Sequence, residues 1–355
     1  MPETSIDIPR ASAAAEARGA APAMIWRCPR CRGELAEHDE TLACGACAVS
    51  YPCFDGIPDL RLPGPSWVDH EKDRDAARRM IAETAGFTPT ATVRYVFEGR
   101  QEMAPAWREK RTKQVMQAGE RLVPEIDGWL RDCVPAGGTF LDLGCGPGQL
   151  LAAAGAIGRR GIGIDVRLEW LLVAKRLITA AGGTPMLAAA MAESLPLADG
   201  SIGAVVSLDV IEHVGDVKAY LREIDRVTAP GGRVAFATPN RFSLTAEPHI
   251  GVWGVGWVPR RWQKAYVRLR SGLPYDYVQL LSTAEAQRLF RRHTLIATEI
   301  LIPEVPEMDI ARFAPFKKSL ARFYNHLVRW KILNPLFRRI GPFFRILGRK
   351  AAASS

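Results

Sequence analysis

The chain contains no apolar run approaching the roughly 18–20 residues that a membrane-spanning helix needs, so no helical span is expected in it. Residues 1–24 lack the Leu-rich block of a secretory leader and carry Glu3, Asp7 and Glu16. A disordered lead-in is the expectation there. Cysteine is scarce, with seven in 355 residues, and four of the seven form two C-x-x-C pairs. That usage argues against a disulfide framework and for metal in a reducing, cytoplasmic compartment. Acidic residues are missing after Asp309, where eleven Lys and Arg residues follow without a counter-charge. The remaining 36 basic residues nearly balance 38 acidic ones. The overall charge of +9 therefore belongs to one segment and does not by itself argue for nucleic acid. There is no internal repeat.

What is present sorts into four regions by composition. Residues 25–62 hold the cysteine pairs. Residues 63–134 are polar with helical spacing of apolar residues, as in "DHEKDRDAARRMIAE", and read as a helical linker or lid. Residues 135–305 alternate strand-like runs ("TFLDL", "RGIGIDV", "TPMLAAA", "IGAVVSL", "GGRVAFAT") with amphipathic helices ("LEWLLVAKRLITAAG", "VKAYLREIDRVTAPGG"), each helix ending in Gly. This alternation predicts an α/β fold, a doubly wound and mostly parallel sheet. Residues 306–355 form a basic, aromatic tail. Within the third region, 241–281 is an aromatic and Arg-rich substrate-side insertion.

In the first region, Cys28 and Cys31 are followed after twelve residues by Cys44 and Cys47. Two C-x-x-C knuckles brought together complete a tetrahedral four-thiolate site suited to zinc. Such a site is closed, so the metal would be structural. Cys53 reads as a small buried apolar residue. The pattern C-P-x-C, a short hairpin, C-x-x-C and "YP…DGIPDL" resembles the small zinc-ribbon proteins that partner tRNA and translation-factor methyltransferases. The resemblance covers about 35 residues and implies an activating or docking module without catalysis of its own.

In the third region, "FLDLGCGPGQL" runs a strand into Gly144, Cys145, Gly146 and Gly148, and a helix follows. Such a turn lets backbone approach a nucleotide cofactor. Gln149 stands where a dinucleotide fingerprint places its third glycine, and Asp142 precedes the turn, where it would suit a cation better than a pyrophosphate. Asp165 ends the next strand, where a carboxylate can accept from both ribose hydroxyls. These features, with "AAMAESLPLADGSIGAVVSLDVIEHVGD" and "LREIDRVTAPGGRVAFATPNRF" in order, resemble class I S-adenosylmethionine-dependent methyltransferases. The local style resembles the type 11 subgroup with ubiquinone-, menaquinone-, sugar- and natural-product-type members. The resemblance spans roughly 125–305 and implies a Rossmann-like seven-stranded sheet. By position, it assigns the methionine end of the cofactor to Asp142, Gly144, Cys145, Gly146 and Gly148. Asp165 takes the ribose, Val166, Ala192 and Glu193 the adenine, and Ser207, Leu208 and Asp209 the pocket at the fourth strand. Gly203 departs from the family, which often has Asp there.

Methyl transfer to a hydroxyl needs alignment and removal of a proton. His213 in "IEHVGD" and His249 in "TAEPHIGVW" are the candidate bases, with Glu247 behind them. An Asn/Asp-Pro-Pro-aromatic loop for planar amines is missing after the fourth strand, which reads "SLDVIEH". O-methylation of a small-molecule, sugar or lipid-linked acceptor is therefore expected over base methylation of rRNA or tRNA, with a non-catalytic partner-binding module as a further alternative. The basic tail could lie on an anionic membrane surface at the inner face, bind RNA or pack on the domain. "FFRILGRK" could return to the sheet after "TLIATEILI", making 309–341 an excursion.

Overall fold

The computed structural model describes residues 25–63, 68–100, 105–134 and 136–352. The expected lead-in at 1–24 lies outside them. Four short strands come first: β1 (Ala36–His38), β2 (Thr41–Cys44), β3 (Val49–Phe54) and β4 (Ile57–Pro58), paired in that order into an antiparallel sheet. Three helices follow, α1 (His70–Glu83), α2 (Pro89–Glu98) and α3 (Pro105–Asp127). Asp69 and Thr88 cap the first two by accepting from backbone N–H groups of their first turns.

The α/β part runs β5 (Thr139–Leu143), α4 (Gln149–Ala156), β6 (Arg160–Asp165), α5 (Leu168–Ala180), β7 (Met186–Ala189), β8 (Ile202–Leu208), α6 (Val217–Val227) and β9 (Thr228–Pro239). The chain then forms α7 (Arg260–Ser271), α8 (Thr283–His293), β10 (Ile296–Leu301), α9 (Glu307–Ile310), α10 (Pro315–Val328), α11 (Asn334–Ile340) and β11 (Phe343–Lys350). Seven strands make one sheet in the order β10–β11–β9–β8–β5–β6–β7. The first two crossovers are parallel, β5 on β6 and β6 on β7, and β11 runs antiparallel to both its neighbours. The expected doubly wound, mostly parallel seven-stranded architecture is present, including the late return of "FFRILGRK".

One expectation fails locally. The segment "TAPGG" does not close helix α6. The helix stops at Val227 and β9 begins at Thr228. Pro-Gly-Gly reads as a helix C-terminus, but Gly231 donates to Ala351 and Arg233 pairs with Arg349, so strand pairing takes the segment.

Two compact units divide the described chain: 25–205 with Arg226–Ala229, and Val206–Asp225 with 230–352. In the first, the core is built from alternating strand residues such as Phe140, Leu141 and Ile164 and from Leu171 and Val173 of α5, all buried. The cysteine-rich segment joins this unit along the edge of β7. Leu60 donates to Ala189 at 2.7 Å, Asp59 forms a parallel bridge with Ala189, and Trp26 bridges Leu197. An otherwise open sheet edge is thereby paired.

Beyond this edge lies a fully buried ion cluster. The Arg61 guanidinium donates Nε and Nη2 to the two oxygens of Asp59, each at 2.7 Å, and Nη1 to Asp73 at 2.7 Å and to the Val166 carbonyl at 2.8 Å. Arg74 adds a third bond to Asp59, and Leu168 N–H donates to Asp73. Burial alone would raise Asp59, but Arg61 and Arg74 win and hold it below the ordinary carboxylate range.

In the second unit, Phe236 packs edge-on against Phe290 at 5.0 Å and Tyr220 at 6.3 Å, and Phe344 and Ile346 of β11 are buried. The insertion has its own small core of Val252, Val255, Val267 and Tyr275.

Removing Arg61 strands two buried carboxylates, so Arg61→Met should lower unfolding free energy by about 3–5 kcal/mol. Urea unfolding at neutral pH measures this, and a variant as stable as the parent would contradict the ion cluster's role. A chain ending at Gly341 loses β11, which leaves β10 unpaired and β9 paired on its β8 side alone. It should lose its cooperative thermal transition; unchanged melting would refute the pairing.

Candidate functional site

The turn after β5 is shaped by three residues with positive φ: Gly144 at 78°, Gly146 at 51° and Gly148 at 73°. Gly148 has a second constraint. A Cβ there would stand 2.6 Å from the Ala174 Cβ, so a side chain would push α4 off α5. Gly144 N–H and Cys145 N–H both donate to the Ile164 carbonyl, which ties the turn to β6. Asp165 is fixed from both sides: Gly146 N–H donates to Oδ2 and Arg167 N–H to Oδ1, each at 2.9 Å. Ala190 N–H donates to the Asp165 carbonyl, bringing the exit of β7 to the same point, two residues before Ala192 and Glu193.

Asp142, Gly144, Cys145, Gly146, Gly148, Asp165 and Val166 are thus gathered around the carboxyl ends of β5 and β6. Burial, with the charge of Asp165 second, pushes Asp142 up to about 8. Asp165 is also raised, by burial, against the two N–H groups that favour its charge. Two carboxyls held this way are incompletely neutralised and would accept a cationic ligand. Burial likewise raises the Cys145 thiol, which is no nucleophile.

In the second unit, Ser207 accepts from the Tyr220 hydroxyl at 2.8 Å and Leu208 ends β8. Asp209 is exposed in the left-handed region at φ 55°. A non-glycine residue in that conformation marks a locally strained turn. Three residues on, Glu212 is buried and accepts from the Thr238 hydroxyl at 2.9 Å through Oε2. Burial, then the Asp209 charge, raises it to about 7. His213 and His249, 36 residues apart in sequence, meet with their Nε2 atoms 3.1 Å apart and their rings edge-on. The Nδ1 of His213 faces the Tyr277 carbonyl at 3.1 Å, and that of His249 faces Glu247 Oε1 at 2.5 Å. Burial lowers His213, whereas Glu247 raises His249 against burial. The two imidazoles named from sequence therefore act as a pair. Glu212 was not singled out in the sequence; its place in "DVIEH" was the available signal.

In the cysteine-rich segment, the Sγ atoms of Cys28, Cys31, Cys44 and Cys47 all lie within 4.8 Å of one another. Bonds of about 2.3 Å to a tetrahedral zinc would set sulfurs roughly 3.8 Å apart; Cys31 and Cys44 stand at 3.5 Å. The donor set fits zinc. Cys53 is not part of the cluster.

Residues 141–236 match the methyltransferase domain family. A ubiquinone biosynthesis O-methyltransferase of Cereibacter sphaeroides is 31% identical over 144 residues, 40% of this chain and 58% of that protein. Another, from Thiobacillus denitrificans, is 29% identical over 175 residues, 48% of this chain and 71% of that protein. An uncharacterised 37.1 kDa protein in transposon Tn4556 of Streptomyces fradiae is 38% identical over 116 residues, 31% of this chain and 33% of that one. The chain spans between one third and about three fifths of the length of the first curated relatives it matches. A solved S-adenosylmethionine-dependent methyltransferase from Mesorhizobium loti is similar at TM-score 0.45 and 20% identity, over 63% of this chain and all of that one. The glycine turn and the strand-end carboxylates Asp142 and Asp165 lie within residues 141–236, the segment that matches the methyltransferase domain family.

Proposed function

We propose that the chain transfers a methyl group from S-adenosylmethionine to an oxygen of a small-molecule, sugar or lipid-linked acceptor. The observation that carries this reading is Asp165. Its two oxygens are fixed by backbone N–H groups at a strand end beside a positive-φ glycine turn, and they keep lone pairs free for ribose hydroxyls. The buried Asp142 would meet the positive charge at the methionine end. Val166, Ala192 and Glu193 would edge the adenine. His213 and His249 would activate the acceptor hydroxyl. Exposed Trp253, Trp257 and Tyr277 of the insertion offer aromatic faces for an acceptor ring. Cys28, Cys31, Cys44 and Cys47 would hold a structural zinc that fixes the ribbon fold and contributes nothing to chemistry.

The tail supports a lipid-surface acceptor. No helix among the described residues is long and apolar enough to cross a membrane. On α10, however, Phe316, Leu320 and Phe323 recur at helical spacing and stay exposed, and Lys317 and Lys318 flank them. The helix docks through Tyr324, which donates to the Pro303 carbonyl, and through Asn325, which bonds the Val305 backbone. An apolar stripe with basic flanks suits an anionic interface.

Calorimetric titration with S-adenosylmethionine tests the cofactor assignment. Asp165→Ala should bind at least tenfold more weakly, and unchanged affinity would contradict the ribose role. Asp142 adds a sign. Its folded pKa is raised, so its contribution to stability of the free protein is full below the unfolded value and declines as pH rises through about 8. Asp142→Asn should therefore melt no lower than the parent at pH 8 while binding the cofactor more weakly. A variant that melts lower and binds normally would reverse the assignment. For the tail, the full chain should sediment with anionic vesicles, and Phe316→Ser with Phe323→Ser should cut that binding several-fold. Binding to RNA without vesicle binding would overturn the lipid reading.

A further inference from the structure

The cluster in the second unit holds a feature that a lone general base does not need. The Nδ1 of His213 faces a carbonyl, which can only accept, so this nitrogen carries the hydrogen. The Nδ1 of His249 faces a carboxylate at 2.5 Å and carries its hydrogen for the same reason. In the neutral tautomers this leaves a lone pair on each Nε2, and the two lone pairs point at each other across 3.1 Å. Glu212 Oε1 lies 4.0 Å from the His249 Nε2. It is buried and has no hydrogen-bond partner among the described residues. Three electron-pair donors thus converge, all within 4.8 Å of one another. Either a shared proton or a cation must sit among them.

We infer that Glu212, His213 and His249 form a binding site for a divalent first-row transition cation. Metal–ligand bonds of about 2.0–2.2 Å place neighbouring ligands roughly 3.0–3.4 Å apart, the separation seen between the two imidazoles. Two imidazoles and one carboxylate favour a transition cation over magnesium or calcium. The outer contacts are those of a metal site: Glu247 and the Tyr277 carbonyl each hold one imidazole in the ligating tautomer. Glu247 is itself fixed, accepting from the backbone N–H groups of His249 and Ile250. His249 is partly exposed, so coordination positions remain for outside oxygens.

This site deepens the methyl-transfer reading and rests on it for its use. A cation here lowers the pKa of an acceptor hydroxyl. The hydroxyl proton leaves to solvent, the oxygen takes the methyl carbon, and the sulfonium departs as a neutral thioether. His213 and His249 would then be ligands and not bases.

The test is a Co²⁺ titration of the full chain with its cysteines preloaded with zinc, followed by visible absorption. The expected result is one saturable equivalent with weak bands of nitrogen and oxygen coordination. Thiolate-to-cobalt charge transfer, which would report entry at the cysteine cluster, should be absent. His249→Ala and Glu212→Gln should each weaken this binding at least tenfold, and Glu247→Gln by about 10–100-fold. His249 is the most exposed of the three, so that variant should melt as the parent does. The site is refuted if no saturable equivalent forms, or if all three variants bind as the parent does; a proton shared by the two imidazoles would then account for their approach. Neither readout depends on S-adenosylmethionine, so failure of the cation site and failure of the methyl-transfer reading are separable.

Discussion

One guanidinium organises the first unit. Arg61 is fully buried and spends its donors on Asp59 at the end of the cysteine-rich segment, Asp73 of α1 and the Val166 carbonyl. Val166 directly follows Asp165. The ribbon, the helical segment and the turn that carries the strand-end carboxylate are therefore tied to a single charge. Buried charges are costly unless every partner is in place, so disturbance at any of the three should be felt at the others. The cysteine-rich segment is thus coupled to the rest of this unit through Asp59 and Arg61.

The glycine turn and the Glu212–His213–His249 cluster use carboxylates differently. Asp165 is pinned by backbone N–H groups, whereas Asp142 has burial and a like charge working against ionisation. A cationic ligand relieves that cost, so binding energy and stability of the free protein trade against each other at one residue. In the second unit, Glu212 is likewise buried beside a negative neighbour, and its Oε1 has no hydrogen-bond partner among the described residues.

Much of the α/β fold was legible in the sequence because buried parallel strands read as short apolar runs. "TFLDL" and "IGAVVSL" coincide with β5 and β8. The late strand "FFRILGRK" was legible through the family resemblance, which implies a closing antiparallel strand after "TLIATEILI". "TAPGG" was misread because local chemistry and strand pairing disagree there, and pairing wins. The glycine turn was legible because its glycines lie in one contiguous stretch, and Asp165 because it ends the next strand-like run. The Arg61 cluster was not, since residues 59, 61, 73, 74 and 166 form no motif and meet only through the fold. The same holds for the imidazole pair: His213 and His249 were each visible as single candidates, but their convergence, and the part of Glu212, required the fold of the 241–281 insertion.

The most direct measurement is transfer of a labelled methyl group from S-adenosylmethionine, using the purified full chain and fractionated cell extract. The account predicts label in the small-molecule or lipid fraction, stable to base as an ether, and absent without the protein. Label confined to RNA, or no transfer into any fraction, would contradict it.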